Sequence, residues 1–397
     1  MRLPDLLQFA RTAAASDTRD KVYALLGIVE EHDRVSVLVD YSKALRQLCL
    51  ELSVHLMTGP YGLNTLPPRW LDRYGYSAAT TDASAYRTEV NRLRALGFHN
   101  TDWNNTLVNQ LDDRDPERLP LWATDFLAPE PSFREELAFV SAGYNTRHNA
   151  SKTLRSKVII SKIPATFAVA GVLFDKIVST PLGFTHGRRH VPPWGELESV
   201  LELTGFFKGY SESLSYPLLD GTDMPLEEAI WRTLVTDQAV YNEPSTSDSH
   251  NLSTGEIPAP TAHRVMYHQL RLDLLQVMPD KEYVSNAILR VEPFQRRIRH
   301  TLLHRTGFMT KRGFIGLGVD SLQSGDVVAL LFGADVPFIL RQRQDDKRWH
   351  FVGECYVHGI MKGELIDLLE RDGTRIAPGE KGSVWYGERR LHKFDIY

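Results

Sequence analysis

The sequence predicts an α+β protein that has a mostly helical body, a small internal sheet and a C-terminal small β-barrel-like module. Three observations support this fold class. Residues 309–361 contain closely spaced short runs of β-branched and aromatic residues, separated by Gly, Asp, Pro and Ser. The upstream segments instead repeat apolar residues at helical spacing. Between these regions, residues 167–174 are apolar on both alternating faces, which is typical of a strand covered on both sides.

We divide the chain into four parts on composition and pattern. The helical body with its small internal sheet takes residues 1–240. A loop rich in Ser, Thr, Pro and Asn follows at 241–260 and is expected to be flexible. Two connecting helices take 261–304, and the C-terminal β module takes 305–397.

The first part of the chain predicts three helices. The first has its apolar residues near the N-terminus at helical spacing. The second begins in SDTRDKVYALLGI, where Asp17 can cap the exposed N–H groups and Gly27 lies where a left-handed C-cap belongs. The third follows the extended run VSVLVDYS, and Ser42 is its expected cap.

The middle of the chain predicts further strands and helices. The run RSKVIISKIPATFAVAGVLFDKIVS, residues 155–179, indicates two or three strands. Residues 193–206 indicate a helix, and Pro225 begins another helix that has Ile230 on its apolar face. Trp122 in LPLWATDF is expected to fill the core.

The C-terminal module predicts four or five short strands: RGFIGLGV, DVVALLFG, PFILRQ, RWHFVGE and CYVHGI. Turn-forming residues separate them at 324–326, 333–335 and 344–347. Strands this short and this close in sequence favour a meander that closes into a small barrel or curled sheet.

Composition excludes several classes of function. The 397 residues include 46 basic and 50 acidic side chains, a formal net charge of −4, so no global field recruits nucleic acid or an anionic membrane. No apolar run approaches the roughly 20 residues that cross a bilayer. The two cysteines exclude a disulfide framework and a Cys-rich zinc site and are typical of a reducing compartment. We expect an intracellular, cytoplasmic protein with no membrane partner; the sequence does not indicate its oligomeric state.

The best titratable cluster is Glu354, Tyr356 and His358, because alternate residues of one strand face the same side. With Asp326 or Arg341 from a neighbouring strand they could bind a polar ligand or act as acid and base. The alternative is that all three anchor the β module to the helices. The sequence assigns no other catalytic residue.

No cofactor or metal is expected. The glycines of GFIGLGVD stand in the wrong order for a dinucleotide fingerprint. His186 and His190 lack a helix, and His300 and His304 lack an acidic third ligand near them in sequence. The basic run at 295–300 is a weaker candidate for nucleic-acid binding, and we consider a nucleic-acid partner unfavoured.

The run SDTRDKVYALLGI followed by VDYS resembles a signature found just downstream of the HET domain in fungal heterokaryon-incompatibility proteins. The residues that carry this match are Asp17, Arg19, Asp20, Lys21, Tyr23, Asp40 and Tyr41.

Further blocks resemble the family in its own order: LPLWATDF, AGYNTRHNAS, AIWRTLVTD and the C-terminal blocks that include GECYVHGIM. LPLWATDF departs from the family pattern at Leu121 and Thr124. The matching residues in these blocks are Trp122, Asp125, Arg232, Asp237, Gly325, Asp326, Arg341, Gly353, Glu354, Tyr356, His358 and Gly359. Arg232 and Asp237 are candidate partners in a functional site, the alternative being a structural ion pair or a helix cap.

The resemblance implies a role in non-self recognition and programmed cell death, exerted through a protein partner. The diagnostic blocks of the HET effector domain, which resembles the TIR fold, are expected before residue 1 and are not found in this sequence. The chain is therefore expected to be a regulatory or recognition region that lacks the effector domain. The runner-up hypothesis is a small-molecule enzyme with a pocket at the helix–barrel junction, formed around Glu354, Tyr356 and His358.

Overall fold

The computed structural model of the protein has helices in its N-terminal part and one large, mostly antiparallel sheet. The residues it describes are 2–10, 13–66, 119–120, 122–124, 126–127, 148–154, 158–161, 166–181, 193–210, 214–237, 267, 298, 301–302, 305–319, 321–343, 348–371, 385–386 and 389–396. Predictions for residues outside these ranges, including the loop at 241–260 and the histidines at 186, 190, 300 and 304, lie outside the described part of the chain.

Seven α-helices are described. They are α1 (Leu3–Ala10), α2 (Asp20–Tyr23), α3 (Glu31–Ser36), α4 (Leu45–Thr58), α5 (Pro193–Tyr210), α6 (Leu226–Leu234) and α7 (Glu364–Arg371). A 3₁₀ turn continues α2 over Ala24–Gly27, and another follows α4 over Gly62–Thr65. Among the described residues, no helix is both long enough and apolar enough to cross a membrane.

The N-terminal helices pack around their own apolar core. The periodic residues that predicted these helices are buried there: Leu3, Leu7, Val22, Leu26, Leu48, Leu52 and Leu56. Two predicted caps are wrong. Ala44 rather than Ser42 is the N-cap of α4, because Ser42 bonds instead to the carboxylate of Asp40. Gly27 ends a 3₁₀ turn and does not adopt a left-handed conformation.

The short helix α3 was not predicted. Its sequence, EHDRVS, has no apolar stripe, so periodicity gives no signal for it. The helix is held by Asp33, whose fully buried carboxylate accepts hydrogen bonds from the Leu3 N–H (3.3 Å), His55 Nε2 (2.8 Å) and the Tyr61 hydroxyl (2.7 Å). A buried polar group of this kind joins α1, α3 and α4.

Eleven strands are described. They are β1 (Ile159–Ser161), β2 (Thr166–Ser179), β3 (Ser215–Pro217), β4 (Asp223–Pro225), β5 (Arg305–Thr310), β6 (Ile315–Val319), β7 (Val327–Leu331), β8 (Phe338–Gln342), β9 (Trp349–Val357), β10 (Trp385–Tyr386) and β11 (Arg389–Ile396). β3 and β4 form a separate hairpin, and the other nine strands form one sheet.

Six strands of that sheet pair in a ring. The neighbours run β2–β5–β6–β9–β8–β7, and β7 pairs again with β2. β2 closes the ring because its 14 residues are long enough to pair with β11 and β1 in its first part, with β7 in the middle and with β5 at the end. Most of its residues are buried, as the apolar pattern on both faces predicted.

Three predictions about the strands need correction. The internal sheet is not separate from the C-terminal strands, because β2 belongs to the same sheet. The strands do not form a simple meander, since β6 lies beside β9 rather than β7. RWHFVGE and CYVHGI are parts of the single strand β9, whose Gly353 adopts a positive φ of 154° and shifts the register against β8. The predicted boundaries of the four parts of the chain stay a prediction.

Two glycines distinguish the inside of the ring from its outside. A Cβ at Gly318 on β6 would lie 2.5 Å from Ile339 Cδ1 on β8, which is not a neighbour of β6, so Gly318 faces the inside. A Cβ at Gly307 on β5 would lie 2.6 Å from Leu203 Cδ2 on α5, so α5 packs closely on the outside. These two glycines permit contacts that any side chain would block.

Candidate functional site

The predicted cluster on β9 lies on the outer face of the ring. Tyr356 is paired with Leu317, the neighbour of the inward-facing Gly318, so it points out of the ring, and Glu354 points the same way two residues earlier. His358 follows the end of β9 and bonds to Tyr356. The three residues are 6%, 1% and 6% exposed. They therefore lie within the packed interior of the protein.

Glu354 forms a buried ion pair with Arg305 on β5. Its Oε1 lies 3.3 Å from Arg305 Nη2, and Arg305 Nη1 donates to the carbonyl of Thr301 at 3.0 Å. Burial lowers the pKa of Arg305 to about 10, against the opposing effect of the Glu354 charge. Because both side chains are more than nine-tenths buried, each charge contributes to compensating the other.

Tyr356 and His358 form a second buried pair. The Tyr356 hydroxyl lies 2.9 Å from His358 Nδ1, and His358 Nε2 lies 3.3 Å from the Met224 sulfur. Burial lowers the pKa of His358 to about 4 and raises the pKa of Tyr356 well above its ordinary value. An efficient general acid or base has a pKa near the working pH, so this pair is poorly suited to proton transfer near neutrality.

The backbone of His358 also forms a hydrogen bond to the β3–β4 hairpin. The Tyr216 hydroxyl on β3 donates to the carbonyl oxygen of His358 at 2.8 Å, and the N–H of Ile315 on β6 lies 3.4 Å from the same hydroxyl. This bond ties the β3–β4 hairpin to the end of β9. The contacts of the cluster thus agree with the alternative in which its residues anchor the sheet to its surroundings.

Arg232 and Asp237 form an ion pair, which the sequence analysis gave as the alternative to a functional site. Arg232 Nη1 donates to Asp237 Oδ1 at 2.7 Å, and Lys362 Nζ lies 3.2 Å from Asp237 Oδ2. Burial alone would raise the pKa of Asp237, but Lys362 and Arg232 hold it below its ordinary value. The carboxylate therefore stays ionised and links the end of α6 to the turn after β9. A role for this pair beyond the ion pair stays a prediction.

The backbone at the end of α6 is strained. Thr236 and Asp237 have φ angles of 54° and 51°, a left-handed conformation that costs free energy for residues other than glycine, and most for a β-branched one. The Asp237 N–H donates to the carbonyl of Arg232 at 2.7 Å, which closes the turn. This turn places the Asp237 carboxylate against Lys362 and near His358, whose pKa its charge affects.

Asp326 and Arg341 form a pair of their own. Arg341 Nε and Nη2 donate to the two carboxylate oxygens of Asp326 at 2.7 and 3.0 Å, and Nη2 also donates to the carbonyl of Ser321. On β8, Phe338 is opposite Glu354 and Arg341 is opposite His350. The structure therefore does not bring this pair into the cluster of Glu354, Tyr356 and His358, because it lies further along the strands and closes the loop before β7.

The N-terminal signature folds into one unit, which we call the motif clasp (residues 16–23 and 40–43). Arg19 Nη1 donates to the carbonyls of Tyr41 and Lys43, and its guanidinium also bonds to Asp17 at 2.8 Å. The Tyr41 hydroxyl donates to the carboxylate of Asp20. The two halves of the signature are thus joined by hydrogen bonds across a gap in the sequence.

Two further bonds involve the motif clasp, one between its two halves and one to a separate segment. The Tyr23 hydroxyl donates to the carbonyl of Asp40 at 2.9 Å, and Lys21 Nζ donates to the carbonyl of Leu127 at 3.4 Å. An open groove of about 450 Å³ lies between the clasp and the start of α4. It is lined by Ser16, Asp17, Thr18, Arg19, Ser42, Lys43, Ala44 and Leu45.

The remaining family positions have local structural roles. Trp122 is buried and packs edge-on against Phe167 of β2, with ring centroids 5.5 Å apart, so its predicted core position is confirmed. Gly325 and Gly359 have φ angles of 102° and 87°, which turns require and other residues resist. Asp125 lies outside the described residues.

Asn149 and Ser151, in the family's Asn-Ala-Ser block, also contact the sheet. The Asn149 N–H donates to the carbonyl of Met361 at 2.9 Å, and Ser151 Oγ donates to the carbonyl of Leu331 at 3.1 Å. Three matched blocks therefore meet around the end of β9: this one, the α6 block with Arg232, and GECYVHGIM.

Sequence analysis missed the buried carboxylate of Asp33. Its partners His55 and Tyr61 lie on other elements, and no spacing in the chain signals that they meet. Within the described ranges, no three His, Cys, Asp or Glu side chains are grouped as metal ligands would be.

Comparison with known proteins gave two matches. Residues 289–374 match a family model described as the Het-6 beta-barrel domain. The chain is also similar to the heterokaryon incompatibility protein 6, OR allele, of Neurospora crassa, with 21% identity over 385 residues that cover 90% of this chain and 50% of that protein. The chain thus spans about half the length of this curated relative. No solved structure matches it. The expected resemblance to fungal heterokaryon-incompatibility proteins is confirmed.

Proposed function

We propose that this chain, which carries a Het-6 β-barrel domain and resembles a fungal heterokaryon incompatibility protein, acts in non-self recognition. It serves there as a regulatory or recognition region that works through protein contacts. The programmed cell death associated with this family is then executed by a HET effector domain that responds to this region.

The observation that carries the proposal is the meeting of family blocks at one place. The Asn-Ala-Ser block, the α6 block and the β9 block lie far apart in sequence, yet Asn149 bonds to Met361 and Asp237 bonds to Lys362 at the end of β9. Residues that build a shared scaffold need to be retained together even when they take no part in a reaction. This arrangement supports a binding or signalling role that depends on a defined surface.

The chemistry of the same residues supports a scaffold rather than a catalyst. Glu354 is paired with Arg305, and Tyr356 is paired with His358, so each polar atom named here is directed at another part of the protein. The low pKa of His358 keeps it neutral near pH 7, where it is a weak base. These features favour recognition over the small-molecule enzyme hypothesis.

The proposal is tested by expressing the chain in Neurospora crassa. One recipient strain carries the OR allele of protein 6 and a second strain lacks that gene. We expect cell death or growth arrest to change in one strain and not in the other, measured as colony viability at equal expression. Equal viability of the two strains would show that the chain takes no part in incompatibility.

The matched controls use the buried residue Ile230 of α6. Ile230→Asp places a charge in the core and should abolish any effect by unfolding the chain. Ile230→Val keeps the core apolar and should preserve the effect. A response that survives Ile230→Asp at equal protein level would not depend on the folded chain and would contradict the proposal.

A further inference from the structure

Within the described part of the chain, the residues other than glycine that have a left-handed backbone gather around one turn. They are Lys152, Thr236 and Asp237, with φ angles of 51°, 54° and 51°. The turn, which we call the β9 turn, is residues 358–363 between β9 and α7. The Lys152 side chain lies over it, since a Cβ added at Gly363 would collide with that side chain. Strained conformations of this kind cluster at switch regions, where the surrounding structure must hold them in place.

Two short segments hold the β9 turn, and we call them straps. The first strap is residues 149–152. Its Asn149 N–H donates to the carbonyl of Met361 in the turn at 2.9 Å. At its other end, Lys152 Nζ bonds to the carboxylate of Asp367 on α7, just after the turn.

The second strap is Thr236 and Asp237, at the end of α6. Asp237 Oδ2 lies 3.2 Å from Lys362 Nζ in the β9 turn, and the other carboxylate oxygen accepts from Arg232 at 2.7 Å. The two straps thus resemble each other. Each has a left-handed residue whose charged side chain crosses to the β9 turn or to the start of α7.

The ion pairs of the straps are only partly protected from water. The side chains of Lys152 and Asp367 are 33% and 48% exposed, and those of Lys362 and Asp237 are 41% and 17% exposed. Pairs this accessible contribute little to stability and are screened by salt. A left-handed backbone costs free energy whenever the straps are closed. The straps should therefore open more readily than the apolar core beside them.

A buried histidine lies close to the second strap. His358 is the first residue of the β9 turn, and its ring bonds to the buried Tyr356. The pKa of His358 is lowered mainly by burial, and the charges of Asp237 and Lys362 also affect it. Because His358 belongs to the turn and Tyr356 to the strand, release of the turn brings His358 to water and leaves Tyr356 in the sheet.

We propose that the β9 turn is a two-state switch, closed when both straps hold it and open when they release it together. In the open form His358 reaches water while the ring stays folded. The straps are coupled because they hold adjacent residues, Met361 and Lys362, so freeing one loosens the backbone that the other holds. A protein partner that binds the open form better shifts the chain toward that form. The switch is a property of the folded chain and does not depend on the proposed role in incompatibility.

The switch is tested by labelling the histidines of the purified full chain with diethyl pyrocarbonate near pH 7 and locating the label by mass spectrometry. The reagent acylates a neutral imidazole that water can reach, so the labelling rate of His358 follows the population of the open form. His55 on α4 is the internal reference for unfolding of the whole chain. Raising NaCl from about 0.05 to about 1 M should raise the rate at His358 relative to His55 about twofold or more.

Removing the charges of the straps should open the turn. Lys362→Met and Lys152→Met keep the aliphatic stem, and each should raise the relative labelling of His358 about two- to fivefold. Lys393→Met is the matched control, because it removes the same charge from an exposed pair with Asp395 on β11. This control should leave the labelling of His358 unchanged.

The contribution of the backbone is tested at Asp237. Asp237→Gly and Asp237→Ala both remove the carboxylate, but only glycine adopts the left-handed conformation without cost. Asp237→Ala should therefore raise the labelling of His358 at least about threefold above Asp237→Gly.

Three results would overturn the switch. They are unchanged labelling of His358 in Asp237→Ala, unchanged labelling in Lys152→Met, and a rise at His358 that His55 matches. The second would show that the straps act separately, and the third that the whole chain unfolds. Equal viability of the two Neurospora strains would reject the proposed function and would leave the labelling results intact.

Discussion

The most direct test of the scaffold interpretation is the substitution Glu354→Ala. Glu354 and Arg305 are 6% and 4% exposed, and their charged groups lie 3.3 Å apart. Removing the carboxylate takes a counter-charge away from a buried guanidinium, and breaking buried pairs in this way costs about 3 to 5 kcal/mol. We therefore expect the free energy of unfolding to fall by about that amount.

The assay is equilibrium unfolding in urea followed by tryptophan fluorescence. A double variant, Arg305→Met with Glu354→Leu, removes both charges and keeps apolar volume at both sites. Such replacements are often neutral or stabilising. We expect the double variant to be more stable than Glu354→Ala by at least about 2 kcal/mol, because both charges of the pair are removed together.

The control is an exposed ion pair on β11. Lys393 and Asp395 lie 3.5 Å apart with side chains 66% and 53% exposed, so Asp395→Ala should cost less than about 1 kcal/mol. The reasoning would be refuted if Glu354→Ala cost no more than this control, or if the double variant were as unstable as the single one. An unchanged stability of Glu354→Ala would return Glu354 to the list of possible catalytic groups.

Three further predictions concern stability measured in the same way. The pKa of His358 is about 4 in the folded chain and near 6.5 in the unfolded chain, so the unfolded state binds the proton first as the pH falls. The free energy of unfolding should therefore be highest above pH 6.5 and fall toward pH 4 by at most about 3 kcal/mol. The His358→Gln variant should lack this fall. Asp33→Ala should cost about 3 kcal/mol by leaving the donors of His55, Tyr61 and Leu3 unpaired, and a cost near zero would contradict the assigned hydrogen bonds. Gly318→Ala should lower the free energy of unfolding by about 1 to 3 kcal/mol, because the new Cβ would lie 2.5 Å from Ile339. Gly205→Ala on α5, where a Cβ meets no atom within 4 Å, should raise it by about 0.5 to 1 kcal/mol. The reverse order would refute the inward direction of Gly318.

Local patterns in the sequence predicted the elements whose signal is local. The helical spacing of Leu48, Leu52 and Leu56 identified α4, and the two-sided apolar pattern of 167–174 identified a covered strand. Both depend on residues a few positions apart, which is the range over which period and burial are linked.

The features that the sequence did not predict depend on contacts between residues far apart in the chain. The ring closes because β2 pairs with β7 and β5, which are far from it in sequence, and no turn residue encodes that register. The same holds within the candidate site. Alternation placed Glu354, Tyr356 and His358 on one face, but the partner of Glu354, Arg305, could be assigned only once β5, β6 and β9 were seen side by side. The helix α3 was missed because a buried carboxylate, and not an apolar stripe, fixes it.

The position of β2 has a consequence for how this protein can be divided. β2 supplies the partner for both β5 and β7, although it stands far upstream of them in the chain. A recombinant fragment limited to residues 289–374 would therefore leave two strands with bare edges, which favour aggregation. The same dependence applies during synthesis on the ribosome. Until the last third of the polypeptide has emerged, β2 can pair only with its short neighbour β1, because β5 and β7 have not yet been made.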